Sequence, residues 1–277
     1  LKQTHAFREN QAEMTETTIL DSNDLEREKG ITILAKNTAV FYKSESGEDY
    51  KINIIDTPGH ADFAGEVERV ISIADGAVLL VDAISGIQAQ TISNLDLARK
   101  QELVIIPVVN KIDAPNAQVE ETVLELAELL NINPEEVIKI SAKNGINIEE
   151  VLKTVIKNVP PPAVDNKSPF RALIFDSLYD PYKGVVAYVR ILEGNIGKFE
   201  KITLMQEDVQ SESKEVGFFK PQFVPQNELT AGCIGYIATG IKDPGKVKIG
   251  DTIAKTDELA KARSGFLPEI FPLPGYH

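Results

Sequence analysis

At about 100–200 residues per domain, the 277 residues of this chain suffice for two domains, each with its own core. A hydrophobic share of 43%, a charged share of 26%, 15 Pro and 18 Gly exclude a low-complexity, collagen-like or globally disordered chain. The net charge of −13 disfavours a partner of free DNA or anionic membrane, and membrane association is not evident from this segment. Cys233 alone cannot form an internal disulfide, no Cys/His cluster has zinc-ligand spacing, and no run of about 18 apolar residues is present. A cytoplasmic protein held by packing alone is expected.

Three apolar runs, 52–55, 77–81 and 103–109, are spaced like buried parallel strands, with a helical pattern at 90–100 between the second and third. A helix over 118–130, a short strand over 137–140 and a helix over 148–158 follow. Alternating elements predict an α/β fold, a parallel sheet with helices on both faces. Val159-Pro160-Pro161-Pro162 ends the periodicity, because consecutive prolines cannot continue a helix. The domain boundary is placed there. Short strand-like runs at 172–175, 185–191, 201–205 and 234–238, broken by Gly and Asp, predict a small β-barrel or sandwich. Charge divides the same way, with a net −12 over residues 1–162 and −1 beyond. The expected organisation is a first domain over 1–162, a barrel over 163–258 and a linker over 259–277.

Asn110-Lys111-Ile112-Asp113 follows the run 103–109, which puts it at the C-terminal end of a predicted strand, where open α/β sheets bind ligands. The Asp113 carboxylate can accept from the N1 and 2-amino donors of guanine, a pair adenine lacks, while the Lys111 stem lies along the base. A polar turn capping the next helix explains the tetrapeptide equally well by itself. Asp56-Thr57-Pro58-Gly59-His60 also follows a predicted strand. It joins a carboxylate able to ligate hydrated magnesium, a glycine whose amide can meet a terminal phosphate, and an imidazole able to orient a water. Thr32, in Arg27-Glu28-Lys29-Gly30-Ile31-Thr32-Ile33, offers a hydroxyl to a magnesium shell, or simply starts a strand. Ser141-Ala142-Lys143, after the strand at 137–140, offers backbone amides to a base oxygen, or caps a helix.

Taken in order, Thr32, the Asp56 loop, Asn110 to Asp113 and Ser141 to Lys143 resemble the conserved loops of translational GTPases. The stretches 21–33 and 56–63 resemble switch I and switch II of ribosome-dependent members, and Gly86 to Gln90-Thr91 fits the same pattern. Residues 158–162, 172–177, 184–186, 240–243 and 250–252 resemble LepA, the elongation factor 4 family, so the resemblance runs through nearly the whole chain. Residues 4–10 and 33–38 are closer to the related BipA/TypA GTPases, the near alternative.

The resemblance implies a P-loop-type G domain followed by a translation-factor β-barrel, with GTP or GDP and Mg2+ as cofactors. It implies Thr32 and Asp56 near the metal, Gly59 at the terminal phosphate, Ile31 in a hydrophobic gate and His60 positioning the hydrolytic water. Asn110, Lys111, Asp113, Ser141, Ala142 and Lys143 hold guanine in this reading. The implied partners are the ribosome, its RNA and proteins, with tRNA as a further candidate.

Gly-x-x-x-x-Gly-Lys-Ser/Thr does not occur in the chain, since Gly197-Lys198 leads into Phe199 and Gly245-Lys246 fails likewise. That loop supplies amides and a lysine to the phosphates, so an inactive isolated chain is expected, its parent hydrolysing GTP. The expectation is a G domain lacking its first strand and phosphate loop through N-terminal truncation, and stopping before later domains. A non-catalytic ribosome- or partner-binding module is the alternative. A missing central strand would expose neighbouring strand edges.

Overall fold

A computed structural model of the chain describes residues 36–58, 64–220 and 222–264. Of these, Phe41–Tyr50 and Thr57–Pro161 form one compact unit; Lys36–Val40, Lys51–Asp56 and the residues from Pro162 onward form a second.

Strands β1 (Lys36–Lys43) and β2 (Asp49–Asp56) pair with each other in a two-stranded sheet of their own. The intervening turn is closed by Ser44 accepting from Gly47 N and donating to Glu48 O, with Gly47 at φ 88°. Among the described residues, 52–55 therefore lie outside the parallel sheet in which the sequence reading put them. A connection this short brings β2 back beside the strand before it, and only longer crossovers make parallel neighbours. The division into units runs through this hairpin.

The first unit is built on a parallel sheet of order β3 (Gly76–Asp82), β4 (Val104–Asn110), β5 (Ile138–Lys139). Around it are α1 (Ala64–Ile71), α2 (Ala89–Lys100), α3 (Val119–Leu130) and α4 (Ile148–Asn158). Strand β4 is apolar on both faces because it is covered on both. Ile106 and Val108 meet Ile148, Val151 and Val155 of α4 on one side. On the other, Val109 meets Val123, Leu126 and Ala127 of α3, and Ile105 packs with Val67, Ile71 and Ala98 of α1 and α2. Side chains alternate along a strand, so one run of Val and Ile feeds both layers.

Helix α3 stops at Asn131, which takes the left-handed conformation at φ 57° while its amide bonds back to the last turn. Gly76 is required where β3 begins, since a Cβ there would sit 2.6 Å from Val159. Val159 thus locks the chain against the sheet just before the prolines. The α1 helix went unread in the sequence: with eight residues it is too short to stand alone, and it depends on Val67 and Ile71 packing against Ala98.

The second unit is antiparallel. Its main sheet has the order β10 (Val209–Glu212), β9 (Lys201–Leu204), β15 (Thr252–Lys255), β6 (Arg171–Asp180), β7 (Gly184–Glu193), β14 (Ile234–Ala238), β11 (Glu215–Lys220), β12 (Gln222–Gln226). A second pair joins β8 (Asn195–Gly197) to β13 (Glu228–Thr230). Alternate residues of these strands point into one core: Ala172 and Ile174 of β6, Val185, Ala187, Val189 and Ile191 of β7, Ile196, Ile202, Leu204, Val216, Leu229, Ile237 and Ile253. Strands from all round the order contribute to this one interior, which makes the unit barrel-like rather than two-layered.

The opposite face of β7, β14, β11 and β12 carries an aromatic layer. Tyr188 meets Phe219 and Phe223 meets Tyr236, each at 4.6 Å between ring centroids. Burial pushes the Tyr188 phenol up to about 12. Gly217 is forced by this packing, as a Cβ would strike the Val224 carbonyl oxygen and the Tyr236 ring. The chain continues into α5 (Leu259–Ser264).

Candidate functional site

The parallel register of β3 and β4 sets Asp82 opposite Asn110, so both strands deliver a polar residue to the same C-terminal edge. The loops leaving that edge are tied together by backbone bonds. Ala83 N donates to Asn110 O at 2.9 Å, Gln118 N donates to Ala83 O at 2.7 Å, and Ile112 N donates to Ile140 O at 3.3 Å. The loop after β5 is a tight turn in which Ser141 and Ile146 exchange backbone hydrogen bonds across Asn144-Gly145, with Gly145 at φ 72°.

The side chains fasten these loops to one another. Asn110 Oδ1 accepts from Ala142 N at 3.0 Å, joining the loop after β4 to the loop after β5. Ser141 is fully buried, and its Oγ accepts from Asn144 N at 3.1 Å. The Ser141 hydroxyl holds the Asp113 carboxyl below its ordinary 3.8, aided by the Lys143 charge and the Asn144 side chain. Asp113 is therefore an acceptor-only carboxylate at neutral pH, fixed at one end and open to solvent. Lys111 occupies the left-handed region at φ 63°, which no glycine relieves, and its Nζ lies 2.6 Å from Asp82 Oδ2.

Chemically, this edge presents a carboxylate for two adjacent N–H donors, an alkyl stem for a planar ring face, and a turn rich in amides. That combination fits a purine carrying an N1–H and a 2-amino group. Of the residues singled out from the sequence, Asn110, Lys111, Asp113, Ser141, Ala142 and Lys143 are brought together in the first unit. Two more groups at this edge were missed: Asp82, and Asn144 in the turn. Thr32, Gly59 and His60, with Ile31, lie outside the described residues. Asp56 is the last residue of β2 and is partly buried, followed by a buried Pro58. Among the described residues no three His, Cys, Asp or Glu side chains come together as a metal site. Likewise, no described helix is long and apolar enough to cross a membrane.

Comparison with known proteins gives this geometry its setting. Residues 1–161 match the family described as the elongation factor Tu GTP binding domain, and residues 184–254 match elongation factor Tu domain 2. The chain belongs to the family of the elongation factor Tu GTP-binding domain, the translational GTPases.

Within it, the chain is 48% identical over 258 residues to an elongation factor 4 of Alkaliphilus oremlandii, which covers 93% of this chain and 41% of that protein. It is 47% identical to that of Clostridioides difficile and 46% identical to that of Aquifex aeolicus, again over 93% of this chain and over 41% and 42% of theirs. All three carry the elongation factor 4 name rather than BipA or TypA. The chain thus spans about two-fifths of the length of these relatives.

Among solved structures, a bacterial selenocysteine-specific elongation factor EF-Sec aligns with a TM-score of 0.69 at 25% identity, over 86% of this chain and 41% of that one. The SelB elongation factor of Methanococcus maripaludis shares the fold, with a TM-score of 0.65 at 23% identity over 80% of this chain and 49% of that one.

Proposed function

We propose that this chain forms the guanine-recognising end and the second domain of an elongation factor 4-type translational GTPase, which binds GTP or GDP with Mg2+ and hydrolyses GTP on the ribosome. The observation that carries the reading is the Asp113 carboxylate, kept ionised beside Ser141 at a sheet end where Asn110 ties both recognition loops together. Ionised carboxylate, N1–H and 2-amino group make two charge-assisted hydrogen bonds that adenine cannot offer. Support also comes from the order of motifs along the chain and from relatives named elongation factor 4.

In this reading Thr32 and Asp56 serve the magnesium shell, Gly59 meets the terminal phosphate and His60 orients the attacking water. The metal, when bound, neutralises charge on the phosphate oxygens. The proposed domains are 1–162, 163–258 and a connecting stretch 259–277. Since the chain covers about two-fifths of its relatives, hydrolysis, ribosome binding, a tRNA contact and a cytoplasmic location are proposed for the whole protein.

The barrel is the proposed contact for the small ribosomal subunit, through Lys242, Lys246 and Lys248. Of these, Lys248 is already paired with Glu207, and Lys242 Nζ reaches the Pro181 carbonyl at 3.3 Å. Titration of the chain with fluorescent GDP and, in parallel, fluorescent ADP in magnesium buffer tests the reading. GDP binding weakened by the missing phosphate-loop contacts, with none of ADP, is expected; equal binding of the two by a folded chain would reject it.

A further inference from the structure

Among the described residues, the Asp82–Lys111 ion pair is the one at this edge that joins the ends of two different strands, and neither the sequence motifs nor the family resemblance gives Asp82 a role. We propose that Asp82 is a positioning residue: it anchors the Lys111 ammonium so that the lysine stem is laid out as a platform for the guanine ring. The inference rests on the guanine-site reading above and deepens it.

Three observations converge. First, parallel register places Asp82 beside Asn110 at the end of the sheet, although 29 residues separate Asp82 from Lys111 in sequence. Second, the two carboxylate oxygens have separate tasks: Oδ1 accepts from Ile84 N at 2.9 Å, which fixes the carboxylate plane, and Oδ2 takes Lys111 Nζ at 2.6 Å. The Asp82 carbonyl in turn accepts from Gly86 N at 2.8 Å and Ser85 N at 3.2 Å, so the whole residue is immobilised by its own loop. Third, the left-handed backbone at Lys111 sets the direction in which its side chain leaves but none of its four side-chain torsions. With its side chain 54% exposed, Lys111 has little packing to restrain those torsions. Fixing the amine is what turns a mobile chain into a surface, because less rotamer freedom is then lost when the base arrives.

An alternative role for Asp82 is that of a turn cap for Ile84 alone. Asp82→Asn separates the two, since its amide oxygen still accepts from Ile84 N while the charge facing Lys111 is gone. Guanosine affinity, followed by NMR titration of the whole chain, is expected to fall about two- to fivefold in Asp82→Asn, the scale of an exposed ion pair. The same substitution in a Lys111→Met background should change nothing, and Asp82→Glu should recover part of the loss. Trace acylation of Lys111 read by mass spectrometry, which needs no ligand, should rise in Asp82→Asn, with the thermal midpoint unchanged.

Wild-type affinity in Asp82→Asn, or an equal loss with and without Lys111, would overturn the proposal. Unchanged Lys111 acylation would do the same. A wild-type chain that binds neither guanosine nor GDP would refute the guanine-site reading instead, and the acylation result would still decide whether Asp82 restrains Lys111.

Discussion

The two units finish their sheets differently. In the second, most strands of the eight-stranded order send alternate side chains into one interior, where Ile174, Val189, Ile202, Leu204 and Ile237 have no exposed surface. In the first, the middle strand β4 is covered on both faces, but β3 carries Val78 at 45% and Leu80 at 54% exposure. Among the described residues, nothing pairs with the other edge of β3. The barrel closes its apolar surface with its own strands, whereas the α/β unit concentrates polar chemistry at one end of a sheet whose β3 edge is unpaired among the described residues. Stability is therefore expected to reside mainly in the barrel, and recognition in the loops at the end of β4.

Core truncation in the barrel should have the largest effect. Ile237→Ala is expected to cost about 2–5 kcal/mol in chemical denaturation followed by near-ultraviolet circular dichroism. A loss under about 1 kcal/mol would mean the interior relaxes to fill the gap and the contrast between the units is overstated.

Asp113→Asn comes next, acting on recognition rather than on folding. An amide in place of the carboxylate presents one donor where guanine needs an acceptor, so guanosine affinity should fall on the order of tenfold or more. Guanine preference kept by this variant would move the base elsewhere. The pH dependence follows from the same group: Ser141 holds the Asp113 carboxyl below its ordinary value, so its folded-state contribution is present at neutral pH and is lost only as pH falls through that lowered value. Guanosine binding should therefore be flat from pH 8 to about 5; a loss near pH 6 would point to a histidine or a different acceptor.

A smaller effect is expected at Asp251 in the barrel. Its Oδ1 accepts from Gln206 N at 2.9 Å and Thr252 N at 2.6 Å, while Oδ2 is buried without a partner. Burial pushes this carboxyl up, so the folded chain holds the proton to higher pH than the unfolded chain does. The stabilisation is complete below the unfolded value and is lost as pH rises through the folded one. Asp251→Asn keeps the acceptor and removes the titration, and should gain stability relative to the native chain as pH rises toward neutrality. Parallel pH profiles for the two would contradict this. Leu80→Lys on β3 should be the mildest, within about 0.5 kcal/mol, while reducing self-association in sedimentation measurements.

Helices α2, α3 and α4 were legible because their apolar residues recur at helical spacing, and β4 because a fully covered strand reads as an unbroken Val/Ile run. The partner of β2 was not legible: an apolar strand carries no mark of its neighbour, and the five residues 44–48 decided it. At the site, Asn110, Lys111, Asp113 and Ser141 to Lys143 were readable because they lie at or just beyond the C-terminal ends of strands. Asp82 ends a strand as well, but a single carboxylate there reads as an ordinary strand end until register sets it beside Asn110 and against Lys111. Thr32, Gly59 and His60 rest on the motif order, their positions being outside the described residues.

The most direct test of the central claim maps the ligand onto the chain: backbone amide shifts are recorded as GDP and then ADP are added in magnesium buffer. The account predicts saturable shifts from GDP concentrated at Asn110 to Asp113 and Ser141 to Lys143, with ADP leaving these signals in place. Equal responses to the two nucleotides, or GDP shifts confined to the barrel, would contradict it.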